Sequence, residues 1–404
     1  MALRIANFMD SALEALDRKG NLSHALALYN PRGAAETVVH FTPHRGDARY
    51  AAEFAARRVE IFPFFNDRAR GRAWMIFAVP AAFFRVLAKI RRERLTLIRG
   101  RLPYFGSLLG CLAGRLLGVP SVVSLGGDNR IPQAREGRYY FGSRWISYGM
   151  EQAVLRLCDA IIAPNVFTRD YVATLLGEKR ARRKTVVIPW ILERAIGGER
   201  QTMPVDLAGL GLDPGLPIIL IVGHLNHYKY SLEMFEVAAE VLTARPGSAQ
   251  FVFCGDGPLR SQGERRLSGI AGAHLLGWQP NETVLGLMQR AALVLVPISG
   301  FVLLEAASLA RPVVASHVEW HGEMITEGET GWLVQAEAVP AWAARICWIL
   351  DHPAQARAAG ERLKVVFQTD YSPDVALQRE AELYARLLGS GPGRQRHVHA
   401  GVLV

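Results

Sequence analysis

From Leu293 to Val334 the chain alternates apolar runs of strand length with one run of helix length, and few folds accommodate that alternation. Leu293-Val-Leu-Val ends at Pro297, a short Ile-Ser-Gly300 turn follows, and Phe301 to Ala310 carries a single charge, Glu305. Pro312-Val-Val-Ala-Ser316 then begins another buried strand. The order strand, turn, helix, strand makes a βαβ unit of a parallel sheet. In such sheets ligands bind beyond the carboxyl ends of the strands, where a helix N-terminus offers unpaired N–H groups to an anion. Gly300, with no Cβ, lets a ligand approach the backbone. Glu305 lies about one turn into the helix, where a carboxylate accepts hydrogen bonds from neutral hydroxyls such as those of a ribose. The segment predicts a nucleotide-diphosphate pocket with Glu305 reading the pentose. The plainer reading makes Glu305 a helix-dipole acid worth up to roughly 1 kcal/mol, but a charge in so apolar a run needs a partner.

Three more segments fit the same plan. Ile218-Ile-Leu-Ile-Val222 is a buried strand, followed by Gly223-His224-Leu-Asn-His-Tyr-Lys229 and a helical run from Ser231. Lys229 stands just after a strand-end glycine and just before a helix, which suits a phosphate contact better than a solvated surface position. His224 is charged only part of the time near neutral pH. Phe251-Val-Phe-Cys-Gly255-Asp-Gly-Pro258 is a strand and a glycine turn, and His274-Leu-Leu-Gly277-Trp278 is another strand end.

In this order the segments resemble the donor-sugar half of the family 4 retaining glycosyltransferases (glycosyltransferase group 1). The family pattern is Glu-Gly-Phe-Gly-Leu-x-x-x-Glu-Ala, a Pro-Val-Val-Ala-Ser strand, a Glu, and Thr-Gly-x-Leu-Val. Here Glu305 is the second Glu, Gly300 the turn glycine, and Pro312 to Ser316 the strand; Glu323 and Thr330-Gly331-Trp-Leu-Val334 match the close. The first Glu falls at position 297, which holds Pro297. The family's Gly-Arg-Leu-x-x-x-Lys-Gly keeps its cation in Lys229, with His224 in place of Arg. The likeness covers about residues 216 to 388 and only loosely the first half.

The resemblance implies an α/β chain of the GT-B fold, two Rossmann-like domains facing across a cleft. It implies sugar transfer from a nucleotide diphosphate sugar donor to a hydroxyl acceptor, with retention at the anomeric carbon. The acceptor would be a glycan or lipid-linked saccharide of surface polysaccharide synthesis. Lys229, His224 and the N–H groups of Gly300, Phe301 and Val302 would hold the diphosphate, and Glu305 the ribose. Gly223 and Gly300 serve as backbone requirements, and Gly277 and Trp278 would meet the nucleobase through backbone groups. No metal and no cofactor is expected. The rival readings are a non-catalytic relative that binds a nucleotide sugar or a partner enzyme, and a nucleotide-sugar epimerase.

At 404 residues the chain is long enough for two domains, each with its own core. Half of its residues are hydrophobic and 21% charged, which excludes a disordered chain. Its net charge of +10 favours anionic partners, nucleotide sugars and an anionic membrane surface. The basic residues are spread along the chain with no zinc-finger or RNP signature, so no nucleic acid is expected. Cys111, Cys158, Cys254 and Cys347 lack metal spacing and sit in apolar runs, which reads as buried reduced thiols and a cytoplasmic location. The N-terminus lacks a signal-peptide pattern, and no stretch reaches the roughly 18 to 20 apolar residues of a spanning helix.

In the first half, Val119 to Leu125 reads as a strand followed by Gly126-Gly127-Asp128-Asn129-Arg130. The family often carries His-Gly at this strand end. The His is missing, and Asp128 is the nearest candidate to accept an acceptor hydroxyl's proton or to bond a sugar hydroxyl; the plain alternative is an ordinary turn. Trp74 to Arg94 reads as a helix with an apolar front and a basic back, begun or kinked at Pro80. It either covers the sheet or lies on a membrane surface. The expected organisation is an acceptor-side domain over residues 1–195, a nucleotide-sugar domain over 196–371, a helix over 372–388 crossing back to the first domain, and a flexible tail over 389–404. A Gly- and Pro-rich linker is expected from about Leu192 to Pro217.

Overall fold

The computed structural model describes residues 2–17, 22, 29–65, 71–128, 130–131, 139, 142–192, 204–298 and 300–389, with the side chains of 71–77 left aside. The chain forms two compact units. One comprises Met1–Gln133, Arg138–Glu193 and Ala376–Val404; the other comprises Ala134–Gly137 and Arg194–Val375. The expected tail beyond residue 389 and the part of the expected linker over 193–203 lie outside the described residues. The remainder of that linker is packed onto the second unit. Leu207 and Leu212 are buried, and the buried Gln250 amide donates to the carbonyls of Asp213 and Leu216. Two apolar anchors and a buried amide outweigh the Gly and Pro content that suggested a free connection.

Among the described residues the first unit holds a seven-stranded parallel sheet in the order β3-β2-β1-β4-β5-β6-β7. Its strands are β1 Arg4–Phe8, β2 Thr37–Thr42, β3 Val59–Pro63, β4 Leu97–Gly100, β5 Ser121–Ser124, β6 Ala160–Ala163 and β7 Thr185–Val187. Helices Gly71–Arg92 and Phe105–Leu117 cover one face, packing Ala82, Val86, Ile90 and Leu109 onto Phe8, Phe41 and Ile98. Pro80 lies inside the first of these helices rather than at its start. Its basic back is partly tied down. Arg85 donates to the carbonyls of Pro63 and Phe64, and Lys89 to Glu60, while Arg91, Arg92 and Phe84 stay exposed. The Arg99 guanidinium on β4 is buried against Glu380 and Tyr384 of the C-terminal helix Pro373–Gly389, with 2.5 Å to the phenol oxygen. Three cysteines are buried, and Cys347 is only partly so.

Among the described residues the second unit holds a six-stranded parallel sheet, in the order β10-β9-β8-β11-β12-β13. Its strands are β8 Ile218–Val222, β9 Gln250–Cys254, β10 Ala273–Gly277, β11 Leu293–Val296, β12 Val313–Ser316 and β13 Trp332–Val334. The core between sheet and helices is built on Phe235, Phe251, Phe253, Trp332 and Trp342. From β8 the chain winds outward to β9 and β10, then returns to place β11 on the other side of β8 and winds outward again. The helices after β8 and β11 therefore diverge, and a crevice opens at the carboxyl ends of these two strands. Each unit is thus a doubly wound α/β domain, as runs of apolar strands alternating with helices require.

Candidate functional site

The crevice between the ends of β8 and β11 is shaped by glycines. Gly223 has φ +152° and Gly255 φ +149°, both outside the range that L side chains adopt readily. A Cβ on Gly255 would stand 1.8 Å from the Gly223 carbonyl oxygen, and one on Gly257 would stand 2.4 Å from that of Leu225. That close approach allows backbone bonds from Gly223 N–H to Cys254 at 3.0 Å, from Leu225 N–H to Asp256 at 3.0 Å and from Gly255 N–H to Gly277 at 2.8 Å. The ends of β8, β9 and β10 are thereby laced into one rigid ledge.

The turn that follows presents Lys229. Asn226 caps it, its side-chain oxygen accepting the Lys229 N–H at 2.9 Å. Tyr230 closes the turn in the left-handed region, at φ +53°, with its ring buried against Ile298 and Ala336. The family pattern puts glycine there. Left-handed backbone costs about 1–2 kcal/mol, and burying the ring is worth about 1.5–3 kcal/mol, so packing holds the conformation.

Lys229 Nζ donates to the Ile298 carbonyl at 2.9 Å and sits 5.1 Å from the centre of the Tyr228 ring. Burial pushes its pKa down, and the negative charge of Glu319 opposes that shift. The amine is thus held half-dry beside the turn that feeds helix Gly300–Ser308. Gly223, His224, Leu225, Lys229, Pro297 and Ile298 line a shallow concavity there. His224 is exposed at its rim. The Pro297 carbonyl accepts the Ser316 hydroxyl, and His321 Nδ1–H donates to the Ser316 carbonyl at 2.9 Å. Position 297 therefore contributes backbone, and no carboxylate, to the crevice.

In helix Gly300–Ser308, Val302, Leu303, Leu304, Ala306 and Ala307 are buried, Glu305 is half-buried and Phe301 is 41% exposed. Gly277 has φ +70° at the end of β10, and Trp278 stands 60% exposed beside it. Asp128 belongs to the first unit. It accepts the Arg130 backbone N–H at 2.9 Å and the guanidinium at 3.3 and 3.4 Å, and Arg130 stacks on Tyr171 at 4.3 Å. Asp128 thus has a cationic partner in the free protein.

Gly223, His224, Lys229 and the turn into Gly300 thus share one crevice. Gly277 is tied to it through Gly255, and Glu305 lies further along the adjoining helix. Sequence reasoning missed Tyr228, Ser316 and the Asn226 cap. An Asn three residues before Lys229 was a legible capping signal. The sequence places Glu319 in a loop near Glu323, but its approach to Tyr228 has no local signal. It also missed Asp10, a buried carboxyl at the end of β1. Burial pushes its pKa up to about 6, and it accepts the Gly106 N–H at 2.8 Å in helix Phe105–Leu117.

Two family models cover most of the chain. "Glycosyltransferase Family 4" matches residues 21–190, and "Glycosyl transferases group 1" matches residues 216–352, which span the whole β8/β11 crevice. The chain belongs to the group 1, family 4 glycosyltransferases. Alpha-D-kanosaminyltransferase of Streptomyces kanamyceticus is 27% identical over 286 residues, 68% of this chain and 73% of that one. D-inositol 3-phosphate glycosyltransferase of Nocardia farcinica is 28% identical over 264 residues, 62% of this chain and 58% of that one. The match thus spans little more than half of the latter relative. HepE of Anabaena, solved with UDP-glucose, superposes with a TM-score of 0.67 at 14% identity, over 95% of this chain and 100% of that one. That likeness establishes the GT-B fold. No helix among the described residues of this glycosyltransferase is long and apolar enough to cross a membrane.

Proposed function

We propose that this glycosyltransferase takes its sugar from a nucleotide diphosphate sugar bound in the β8/β11 crevice and passes it to a hydroxyl acceptor with retention at the anomeric carbon. The observation that carries the reading is Lys229. Its ammonium is partly buried and fastened to the Ile298 carbonyl, beside the start of a helix at a topological switch point. In the reaction the bond from the anomeric carbon to the diphosphate oxygen breaks, and a bond to the acceptor oxygen forms as that hydroxyl passes its proton to Asp128 or to the departing diphosphate. Charge collects on the departing diphosphate. Lys229, His224 and the N–H groups of Gly300, Phe301 and Val302 stabilise it. Glu305 accepts the ribose hydroxyls, and the backbone at Gly277 and Trp278 meets the base. The UDP-glucose of HepE supports a donor of this class.

Asp128, paired with Arg130, serves the acceptor side, where its carboxylate accepts the proton of an acceptor hydroxyl or a hydrogen bond from a sugar hydroxyl. The acceptor is a glycan or a lipid-linked saccharide of surface polysaccharide synthesis. The exposed Phe84, Arg91 and Arg92 of helix Gly71–Arg92 favour a cytoplasmic enzyme that touches an anionic membrane face. A thermal-shift screen with nucleoside diphosphates, followed by transfer assays with the matching nucleotide sugars, tests the reading. A ligand bound only by the folded chain must raise its melting temperature. A chain whose melting point no nucleoside diphosphate moves at millimolar concentration has no such donor site.

A further inference from the structure

Helices Gly71–Arg92, Phe105–Leu117 and Arg144–Leu157 of the first unit lead from β3 to β4, from β4 to β5 and from β5 to β6, so each crossover advances across the sheet in the same direction. Right-handed crossovers then lay all three helices on one face. Their inner sides are settled against the sheet and against one another. Ala82, Val86 and Ile90 of the first pack with Leu109 and Ala113 of the second, and Cys111 of the second packs with Val154 and Leu155 of the third. A Cβ on Gly110 would stand 2.8 Å from the Phe8 ring, so the middle helix lies hard against its strands. Arg115 of the middle helix donates to the Leu157 carbonyl at 3.2 Å and fastens it to the third.

What remains on the outer side is not the polar surface that such helices ordinarily turn to water. Phe84 is 66% exposed, Leu116 68% and Trp145 75%, with Leu112 and Ile146 exposed beside them. Phe84 stands two residues from buried Ala82 and Val86, Leu112 two from Gly110 and Gly114, and Trp145 two from buried Ser147. That spacing turns each of them away from the sheet. Charge on this side has one sign. Among the described residues the three helices hold one acid, Glu151, which is buried and accepts the Tyr171 hydroxyl at 2.5 Å. Arg91, Arg92, Arg115, Arg144 and Arg156 are exposed, and Glu93, just past the first helix, is paired with Lys89 at 3.2 Å. The Arg144 guanidinium stands 4.7 Å from the centre of the Trp145 ring.

We infer that this three-helix face docks on an anionic lipid surface, with Phe84, Leu112, Leu116, Trp145 and Ile146 in the headgroup zone and the arginines on lipid phosphates. The inference rests on the membrane reading proposed above and deepens it, since contact through one helix alone fixes no orientation. Three helices in one layer hold the sheet parallel to the bilayer. The carboxyl ends of its strands, with Asp128 after β5, then open along the membrane plane, where a lipid-linked saccharide presents its hydroxyls. Large apolar tips spaced among arginines, with no exposed acid between them, match a surface of mobile anionic headgroups. A second copy of the same face would set arginine against arginine.

The test is co-sedimentation of the full chain with vesicles of equal parts phosphatidylglycerol and phosphatidylcholine, against vesicles of phosphatidylcholine alone. Wild type binds the anionic vesicles at least tenfold more tightly, and rising salt weakens that binding. Leu112→Ser with Leu116→Ser, and separately Trp145→Ser with Ile146→Ser, each lose at least tenfold. Both keep the wild-type melting temperature, because the replaced side chains lie in water. Trp145→Phe keeps its binding but lowers the quenching of tryptophan fluorescence by brominated lipid. If wild type binds the anionic vesicles and either double variant keeps its affinity, the three-helix face is overturned and the one-helix membrane reading stands. If wild type binds neither kind of vesicle, both fall. A wild-type dimer in analytical ultracentrifugation that either double variant makes monomeric, with vesicle binding unchanged, assigns the face to a second copy and overturns the lipid assignment.

Discussion

Replacing Lys229 by Met removes one charge while keeping the length of an apolar stem. In the free protein the ammonium is already partly dehydrated and bonded to the Ile298 carbonyl. Folding has met part of the desolvation cost, so a diphosphate gains a charge-assisted bond with less further drying. Such bonds are worth about 1.5–3 kcal/mol, below the ~4 kcal/mol of two bare charges about 4 Å apart at an effective dielectric of 20. Lys229→Met therefore weakens nucleoside diphosphate binding about 10- to 100-fold, by about 1.4 kcal/mol per factor of ten. It also leaves the Ile298 carbonyl without its donor, at a cost of about 1–3 kcal/mol in stability. Calorimetry below the melting transition measures affinity on folded protein, and thermal unfolding measures the stability loss separately. Lys229→Arg, which keeps the charge, recovers part of the affinity. Burial lowers the lysine's pKa, so wild-type affinity declines with rising pH earlier than for an ordinary lysine, whereas the Met variant shows no such decline. A Met variant that binds the diphosphate within twofold of wild type would refute the phosphate role.

Three other outcomes are expected. The Asp10 carboxyl, raised from 3.8 to about 6 by burial, stabilises the fold below pH 4, and that contribution, about 3 kcal/mol, is lost as pH rises through 6; urea titrations of Asp10→Asn show a shallower fall over that window, and an unchanged slope refutes the assignment. Arg99→Met strands buried Glu380 and costs about 3–5 kcal/mol in chemical denaturation, whereas Arg99→Met with Glu380→Leu costs less than the sum of the single changes; additive costs would deny the pair. Gly255→Ala puts a Cβ 1.8 Å from the Gly223 carbonyl, so the ledge must separate and nucleoside diphosphate affinity collapse; wild-type binding in that variant would show that the ledge does not shape the site.

The doubly wound architecture was legible because fully buried parallel strands read as unbroken apolar runs. Leu293-Val-Leu-Val and Ile218-Ile-Leu-Ile-Val222 are strands at every position expected. Gly223, Lys229 and Gly300 marked their own places through local chemistry, a glycine turn, a cation and a helix start. One local expectation failed against packing. The 204–217 segment was read as linker from composition, but Leu207 and Leu212 find a core. The pairing of Asp128 with Arg130, two residues away, was not read from the sequence.

The one-dimensional order of residues determined which strands are buried, where the chain turns, and which side chains can hold an anion. It did so because strand burial, glycine turns and helix starts depend on neighbours within about one turn of chain. Only the folded chain decided that Lys229 meets the Ile298 carbonyl 69 residues away, that Gly255 lies under Gly223, and that Glu319 faces Tyr228. Those contacts arise where strands distant in sequence become neighbours in a sheet, and their register is set by packing across the whole domain, which no local pattern encodes.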